Sequence, residues 1–165
     1  MQLPAHQFLD EHRIPYDTLT FPATTDKGAA SVARTLGYHE RQMVKTLIFE
    51  TSTGEKVLVM LGGDQNAISG HLKKAIGSRN IRLTDAETVK ATTGYEIGSI
   101  PPFHWQPQGF RSFLEAALMH EEVLGVGAGV WGHEIIITPA HVVQATQAMV
   151  VNLTDKSKPV FPEHP

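Results

Sequence analysis

The chain has 165 residues, 41% of them hydrophobic and 19% charged, so it is expected to form one globular domain with a core, and wholesale disorder is excluded. It has no cysteine, which excludes disulfides, thiolate metal sites and a protein thiol nucleophile, and favours a reducing cytoplasm. A formal net charge of −3 argues against a protein that coats long nucleic-acid duplexes, but leaves recognition of one small nucleic-acid end open.

Short helices and strands are predicted to alternate along the first 93 residues. The clearest signal is a hairpin, because two runs of branched apolar residues flank a turn over 52–55 that contains Gly54. Thr84 is expected to cap a helix, with Glu87 completing a capping box. The predicted elements are helices over 3–12, 30–36, 67–76 and 85–92, and strands over 14–21, 44–51, 56–61 and 81–83.

The last third is expected to add strands over 112–114, 123–126 and 133–138 and a helix over 139–148, which proline opens. The irregular interleaving of strands and helices predicts a mixed α+β fold rather than a doubly wound one. We expect one domain over 1–152 and a loosely attached, proline-rich tail over 153–165. No signal peptide or membrane-spanning run is recognisable, so no membrane partner is expected.

Lys45 is the first candidate functional residue, since it stands inside an apolar strand. Alternation places it on one face with Leu47 and Phe49. A lysine in that position either extends to solvent at the strand end or points into a cleft.

Two glycine-rich segments are the next candidates. In the loop over 94–102 the backbone N–H groups could hold a carbonyl oxygen or a phosphate, although an ordinary turn explains the same composition. The glycines at 125–132 fit neither a dinucleotide-binding fingerprint nor a P-loop, and a turn between strands before His133 fits better.

Nine histidines raise the question of a metal site. Their spacing contains no His-Glu-x-x-His motif, and no Gly-x-Ser-x-Gly elbow indicates a serine hydrolase. We therefore predict no metal and no cofactor. Residues 71–90 carry a local excess of three positive charges, which is either a solvated helical face or a small phosphate-contact patch with Lys73, Lys74 and Arg79.

Taken together, these segments resemble the YbaK/prolyl-tRNA-synthetase-associated editing domain family over about residues 3–150. The strand 41–49 is similar to the family's Lys-Thr-Leu strand, and Gly98-Ser99-Ile100-Pro101-Pro102 is similar to its G-x-x-x-P loop. The Gly-Ala-Gly turn at 127–129 stands in the family's order. The resemblance implies a mixed, barrel-like sheet flanked by short helices.

The resemblance also implies roles for individual residues. Lys45, Gly98 and His133 would be catalytic, with Lys45 at the terminal phosphate or ester and backbone N–H groups of 98–100 at the carbonyl. His133 is equally compatible with a structural role. The substrate-binding residues would be Thr46, Tyr95, Ser99, Ile100, Pro102, Gly127 and Gly129.

The function implied is a free-standing deacylase for mischarged tRNA, with an alanyl, cysteinyl, seryl or threonyl ester as substrate. The partners would be the aminoacylated 3′ end of tRNA and a synthetase such as prolyl-tRNA synthetase, in the cytoplasm. The alternative is a non-catalytic module that binds tRNA ends or a small amino-acid-like ligand. Specific duplex DNA binding is not expected, because no helix-turn-helix pattern is present.

Overall fold

The structure is a computed structural model, and it describes residues 2–162. Five helices and eight strands lie in this part, together with short 3-10 helices at Glu40–Gln42 and Ala116–His120. In chain order they are α1 (Pro4–Glu11), β1 (Asp17–Thr20), α2 (Ala29–Leu36), β2 (Lys45–Thr51), β3 (Lys56–Leu61), α3 (Ser69–Ile76), β4 (Ile81–Leu83), α4 (Ala86–Thr93), β5 (Ser112–Glu115), β6 (Leu124–Gly127), β7 (His133–Ile137), α5 (Pro139–Thr146) and β8 (Met149–Val151).

The larger sheet has five strands in the order β4-β2-β3-β5-β8. The predicted hairpin is confirmed, since β2 and β3 pair antiparallel with Lys45 opposite Leu61, and Gly54 occupies the turn with φ +87°. β5 joins β3 in parallel, and β8 joins β5 in parallel. The hairpin therefore lies in the middle of the sheet, as its branched apolar residues predict.

The smaller sheet has three antiparallel strands in the order β1-β7-β6. It meets the larger sheet at a parallel bridge between Met43 and Gly125, where the N–H of Val44 donates to the carbonyl of Gly125 over 2.8 Å. The α+β prediction is confirmed. The described strands form two joined sheets, not a closed barrel, because β2 leaves this bridge after Val44 to pair with β3 and β4.

Side-chain alternation along β2 divides the core. Ile48 is buried in the cluster that α1, β6 and β7 share, whereas Leu47 and Phe49 pack on the other face against the cluster beneath α3. A third cluster, with Val32 and Met43, lies between α2 and the smaller sheet. The start of β2 is thus placed where several layers meet.

One local expectation was wrong. Asp85, not Thr84, caps α4, and its side chain accepts a hydrogen bond from the N–H of Thr88. The Thr84 hydroxyl instead donates to the carbonyl of Ile48 over 2.8 Å, because β4 pairs with β2 just before it. The strand β8 follows the predicted helix over 139–148, in residues for which no strand was predicted.

The expected loose attachment of the segment after residue 152 is also wrong. Leu153 and Val160 are buried against the cluster beneath α3. The Asn152 side-chain amide donates to three carbonyls of the segment, among them that of Lys158 at 3.0 Å. The proline-rich sequence of this segment therefore belongs to a folded turn, as far as the described residues extend. Within these residues no helix has the length and apolar character that crossing a membrane requires.

Candidate functional site

A cavity of about 610 Å³ opens where the two sheets meet. Its size is within the range of small-molecule sites. The structure brings seven of the residues proposed from sequence into its lining, from β2, the loop after α4, and the strands β6 and β7. They are Lys45, Thr46, Gly98, Ser99, Ile100, Gly127 and His133.

Lys45 is half-buried at the first position of β2. Its Nζ donates to the carbonyl oxygen of Gln65, which belongs to the turn that follows β3. No carboxylate of the described residues lies within 4 Å of it, so its positive charge is not neutralised by an ion pair. An unpaired ammonium with one hydrogen bond to a neutral carbonyl can attract an anionic or carbonyl oxygen in the cavity.

The loop of Gly98 turns sharply, and its backbone donors are mostly free. Gly98 has φ +93°, a conformation that favours glycine. The N–H of Ser99 donates to the carbonyl of Glu96 over 3.2 Å, while the hydrogen bonds found among the described residues use neither the N–H of Gly98 nor that of Ile100. Such donors can stabilise an oxyanion if the carbonyl carbon of a substrate sits against the loop.

Gly127 fixes this loop against β6 by close backbone contact. A Cβ at this position would lie 2.7 Å from the carbonyl oxygen of Ile100 and 2.9 Å from that of Ser99. Two residues later, the N–H of Gly129 donates to the Ser99 carbonyl over 2.8 Å. Gly127 and Gly129 therefore hold the Ser99–Ile100 backbone against the end of β6.

Tyr95, Pro102 and Gly129 do not line the cavity, in contrast to the substrate contacts expected from the resemblance. The Tyr95 ring packs so tightly on Gly129 that a Cβ there would lie 2.7 Å from it, and its hydroxyl hydrogen-bonds to Nε2 of His104 over 2.6 Å. Pro102 is buried, and its carbonyl accepts a hydrogen bond from Gln106. These residues shape the wall and do not face the cavity.

Thr46 and His133 contribute polar groups from neighbouring elements. The Thr46 hydroxyl is buried and has no partner among the described residues. His133 begins β7 and is half-buried. It lies on the face of β7 shared by Ile135, which packs in the cluster with α1. The arrangement is compatible with either of the roles considered for His133.

Glu134 is a cavity residue that the sequence reading missed. It follows His133 on β7, and its carboxylate lies beside Gly125, since a Cβ on Gly125 would lie 3.3 Å from Glu134 Oε2. Burial raises the pKa of this carboxyl to about 8, because the charged form loses its hydration. The sequence did carry a signal for this residue, because a glutamate stands in the otherwise apolar run His-Glu-Ile-Ile-Ile. Strand alternation places Glu134 on the same face as Ile136 and on the opposite face from His133.

An aromatic corner of the cavity was missed as well. Phe21 and Trp131 meet with ring centroids 4.8 Å apart and nearly perpendicular planes, and Nζ of Lys27 lies 3.9 Å from the Trp131 ring centroid. All three line the cavity. They come from the loop before α2 and the turn before β7, so no local pattern could have joined them.

The proposed tRNA-contact residues lie apart from the cavity. Lys73, Lys74 and Arg79 surround two small surface clefts at the end of α3, which we call the basic patch, and none has a carboxylate of the described residues within 4 Å. One of these clefts also includes Thr51, at the opposite end of β2 from Lys45. The two ends are six residue steps apart, about 20 Å at ~3.3 Å per step.

No cluster of three His, Asp or Glu side chains suited to a metal ion occurs within residues 2–162. The cavity offers an ammonium, free backbone donors and a carboxyl in a largely apolar wall. Such a combination is suited to binding and polarising a carbonyl or ester group.

Comparison with known proteins identifies the family. Residues 25–145 match the family model "Aminoacyl-tRNA editing domain". The chain belongs to this family, as its motifs suggested.

Relatives in sequence agree with this placement, and a solved structure shares the fold. The chain is 27% identical over 153 residues to the "Putative Cys-tRNA(Pro)/Cys-tRNA(Cys) deacylase EbsC" of Enterococcus faecalis, covering 92% of this chain and 93% of that protein. It is 35% identical over 85 residues to the proline–tRNA ligase of Pelobacter propionicus, which is 51% of this chain and 15% of the ligase. A structure described as "a putative trans-editing enzyme for prolyl tRNA synthetase" shares the fold, with a TM-score of 0.79 at 23% identity over 94% of this chain and 99% of that one.

Proposed function

We propose that the protein is a free-standing hydrolase that removes a wrongly attached amino acid from the 3′ end of tRNA. The observation that carries this proposal is that Lys45 and the Gly98 loop line one cavity, in a chain of the aminoacyl-tRNA editing family. The N–H groups of Gly98 and Ile100 in this loop have no partner among the described residues. Work on tRNA would agree with the cytoplasmic location expected from the cysteine-free sequence.

The reaction requires few protein groups. A water attacks the ester carbonyl carbon, and the negative charge that develops on the carbonyl oxygen is stabilised by the N–H groups of Gly98 and Ile100. Collapse of this intermediate expels the ribose oxygen, which takes a proton, and yields free amino acid and tRNA. Lys45 would hold the terminal phosphate or the ester region, so that the carbonyl sits against the loop.

The substrate is an ester of a small amino acid in this proposal, of the alanyl, cysteinyl, seryl or threonyl class. The cavity lining supports this choice of substrate class, because Ile100 and Val32 present apolar surface while the Thr46 hydroxyl has a free hydrogen-bonding capacity. The description of the Enterococcus relative favours cysteine within this class. A small thiol or hydroxyl could use the Thr46 hydroxyl as its partner.

The basic patch is proposed as a second contact with tRNA. Thr51, which borders one of its clefts, lies about 20 Å from Lys45 along β2, the length of roughly six stacked nucleotides at ~3.4 Å per nucleotide of a strand. Phosphates of the acceptor stem, not of the terminal nucleotide, would therefore face Lys73, Lys74 and Arg79. The similarity to part of a proline–tRNA ligase makes a prolyl-tRNA synthetase the first synthetase partner to examine.

The decisive experiment is a deacylation screen with purified protein against tRNAs mischarged with each candidate amino acid. The wild-type protein should release at least one amino acid, and Lys45→Ala should abolish this release while leaving the melting temperature near that of wild type. Full activity of Lys45→Ala would remove the role given to that residue. If wild-type protein binds tRNA ends but releases nothing, the protein is the non-catalytic module instead.

The basic patch is tested by neutralising it. Changing Lys73, Lys74 and Arg79 together to Gln should reduce deacylation of tRNA and flatten its salt dependence, yet leave hydrolysis of an aminoacyl-adenosine unchanged. Lys156→Gln serves as the matched control, since Lys156 is an exposed lysine outside the patch. An equal effect of both variants would contradict a specific contact.

A further inference from the structure

Trp131 and Lys27 have no role in the reaction described above, although both line the cavity. We infer that Trp131 is a stacking platform for the adenine base at the end of tRNA and that Lys27 binds the phosphate attached to this nucleoside. The inference rests on the proposed function and adds the place where the nucleoside is bound.

The orientation of the Trp131 ring is fixed by its neighbours. Phe21 is buried and packs perpendicular to the indole. The N–H of Phe21 donates to the carbonyl of Gly132 over 2.9 Å, which ties the turn before β7 to the end of β1. An aromatic ring held in this way loses little conformational entropy when a base stacks on it.

Lys27 covers the ring in the structure, but only weakly. Its side chain is exposed, in the loop before α2. An exposed cation–π contact corresponds to a factor of about 2 to 5 in an equilibrium constant, whereas stacking of a base on an aromatic side chain corresponds to about 5- to 140-fold. A base can therefore displace the ammonium, which stays at the rim and can pair with the phosphate of the same nucleotide.

The position of the corner suits this use. Lys45 and the Gly98 loop line the same cavity, so a nucleoside stacked on Trp131 would place its acylated ribose toward the groups that act on the ester. The cavity volume of about 610 Å³ leaves room for a small amino acid beside a nucleoside.

Tryptophan fluorescence tests the inference directly. The chain has two tryptophans, and Trp105 lies outside the cavity, against Phe110. In a Trp105→Phe protein, adenosine 5′-monophosphate should quench Trp131 saturably, whereas ribose 5-phosphate should not. Trp131→Ala should weaken binding of this nucleotide about 5- to 140-fold, measured by calorimetry, and Trp131→Phe should retain most of it. Absence of quenching, or equal affinity for both ligands, would overturn the platform.

Lys27→Gln separates the second part of the inference. It should weaken binding of adenosine 5′-monophosphate, while binding of adenosine should stay the same or rise by up to about 5-fold because the ring is no longer covered. Trp131→Ala should weaken both. An equal loss of both ligands in Lys27→Gln would overturn the phosphate contact.

Two further arms identify the source of the nucleoside and keep the proposals distinguishable. An RNA hairpin that ends in CCA should bind better than the same hairpin without the terminal A, and equal binding would overturn the assignment to a tRNA end in favour of a free nucleotide.

Trp131→Ala should reduce hydrolysis of an aminoacyl-adenosine but not of the methyl ester of the same amino acid, and equal losses would indicate a structural role. Failure of wild-type protein to hydrolyse any aminoacyl-tRNA, with quenching intact, would overturn the proposed function alone.

Discussion

Replacement of Gly127 by alanine should impair the site more than the fold. The added Cβ would lie 2.7 Å from the Ile100 carbonyl oxygen, where ordinary contact begins at 3.4 Å, so the Ser99–Ile100 backbone must move by about 0.7 Å. Overpacking of this kind costs about 1–3 kcal/mol of unfolding free energy, which a domain with ~5–15 kcal/mol survives. Misplacement of reacting groups by ~1 Å can lower catalysis about 100-fold, so we expect kcat/KM for deacylation to fall about 10- to 100-fold.

The assay pairs single-turnover deacylation with urea unfolding of the same preparations. Gly70→Ala is the matched control, because a Cβ at Gly70 meets no atom within 4 Å and the residue lies in the first turn of α3. This control should gain up to about 1 kcal/mol in stability and keep full activity. The reasoning would be refuted by Gly127→Ala protein with wild-type kcat/KM, or by a comparable loss in the control.

Three further substitutions probe single groups. Burial raises the pKa of the Glu134 carboxyl from 4.5 to about 8, so the fold is more stable while this group is neutral, and the free energy of unfolding should fall as pH rises from about 4.5 through 8. Glu134→Gln should remove this pH dependence, which is of the order of a few kcal/mol, when urea unfolding is compared at pH 5 and 8.5. An identical slope in both proteins would contradict the assignment. Thr46→Val removes a buried hydroxyl without a partner, so stability should hold or rise while kcat/KM falls, and an unchanged kcat/KM would exclude substrate contact. Leu153→Ala should cost about 2–5 kcal/mol in thermal or urea unfolding, since Leu153 is fully buried, and a cost under ~0.5 kcal/mol would favour the loose tail expected from sequence.

The sequence predicted what local patterns determine. The hairpin of β2 and β3 follows from branched residues around Gly54, and α3 ends at Gly77 in a left-handed conformation, as glycine allows. β8 escaped prediction because it is three residues long and owes its extended form to parallel pairing with β5, far away in the chain. Leu153 likewise looked like part of a tail because its partners beneath α3 are distant in sequence.

The same division holds for the site. Lys45, the Gly98 loop and Gly127 are visible in the sequence because each departs from its local pattern, and the structure brings them to one cavity. Glu134 also carried a local signal, as a carboxylate in an apolar strand, but it was overlooked, whereas the aromatic corner of Trp131 with Lys27 depends on contacts between separate elements. Residues whose only signal is tertiary contact are invisible to periodicity, which is why the wall was harder to predict than the loop.

The charge of the cavity would allow a protein of net charge −3 to accept the anionic nucleotide end proposed above. Its lining holds the cations Lys27 and Lys45 against the carboxyls of Glu40 and Glu134. With its pKa at about 8, Glu134 is mostly neutral at pH 7, and Lys27, Lys45 and Glu40 then give the lining an excess of one positive charge. Above pH 8 the ionised Glu134 cancels this excess, so affinity for the phosphate of a terminal nucleotide should fall there. The desolvation that raises the pKa of the Glu134 carboxyl thus keeps the cavity attractive to phosphate at neutral pH, although the protein as a whole is not basic.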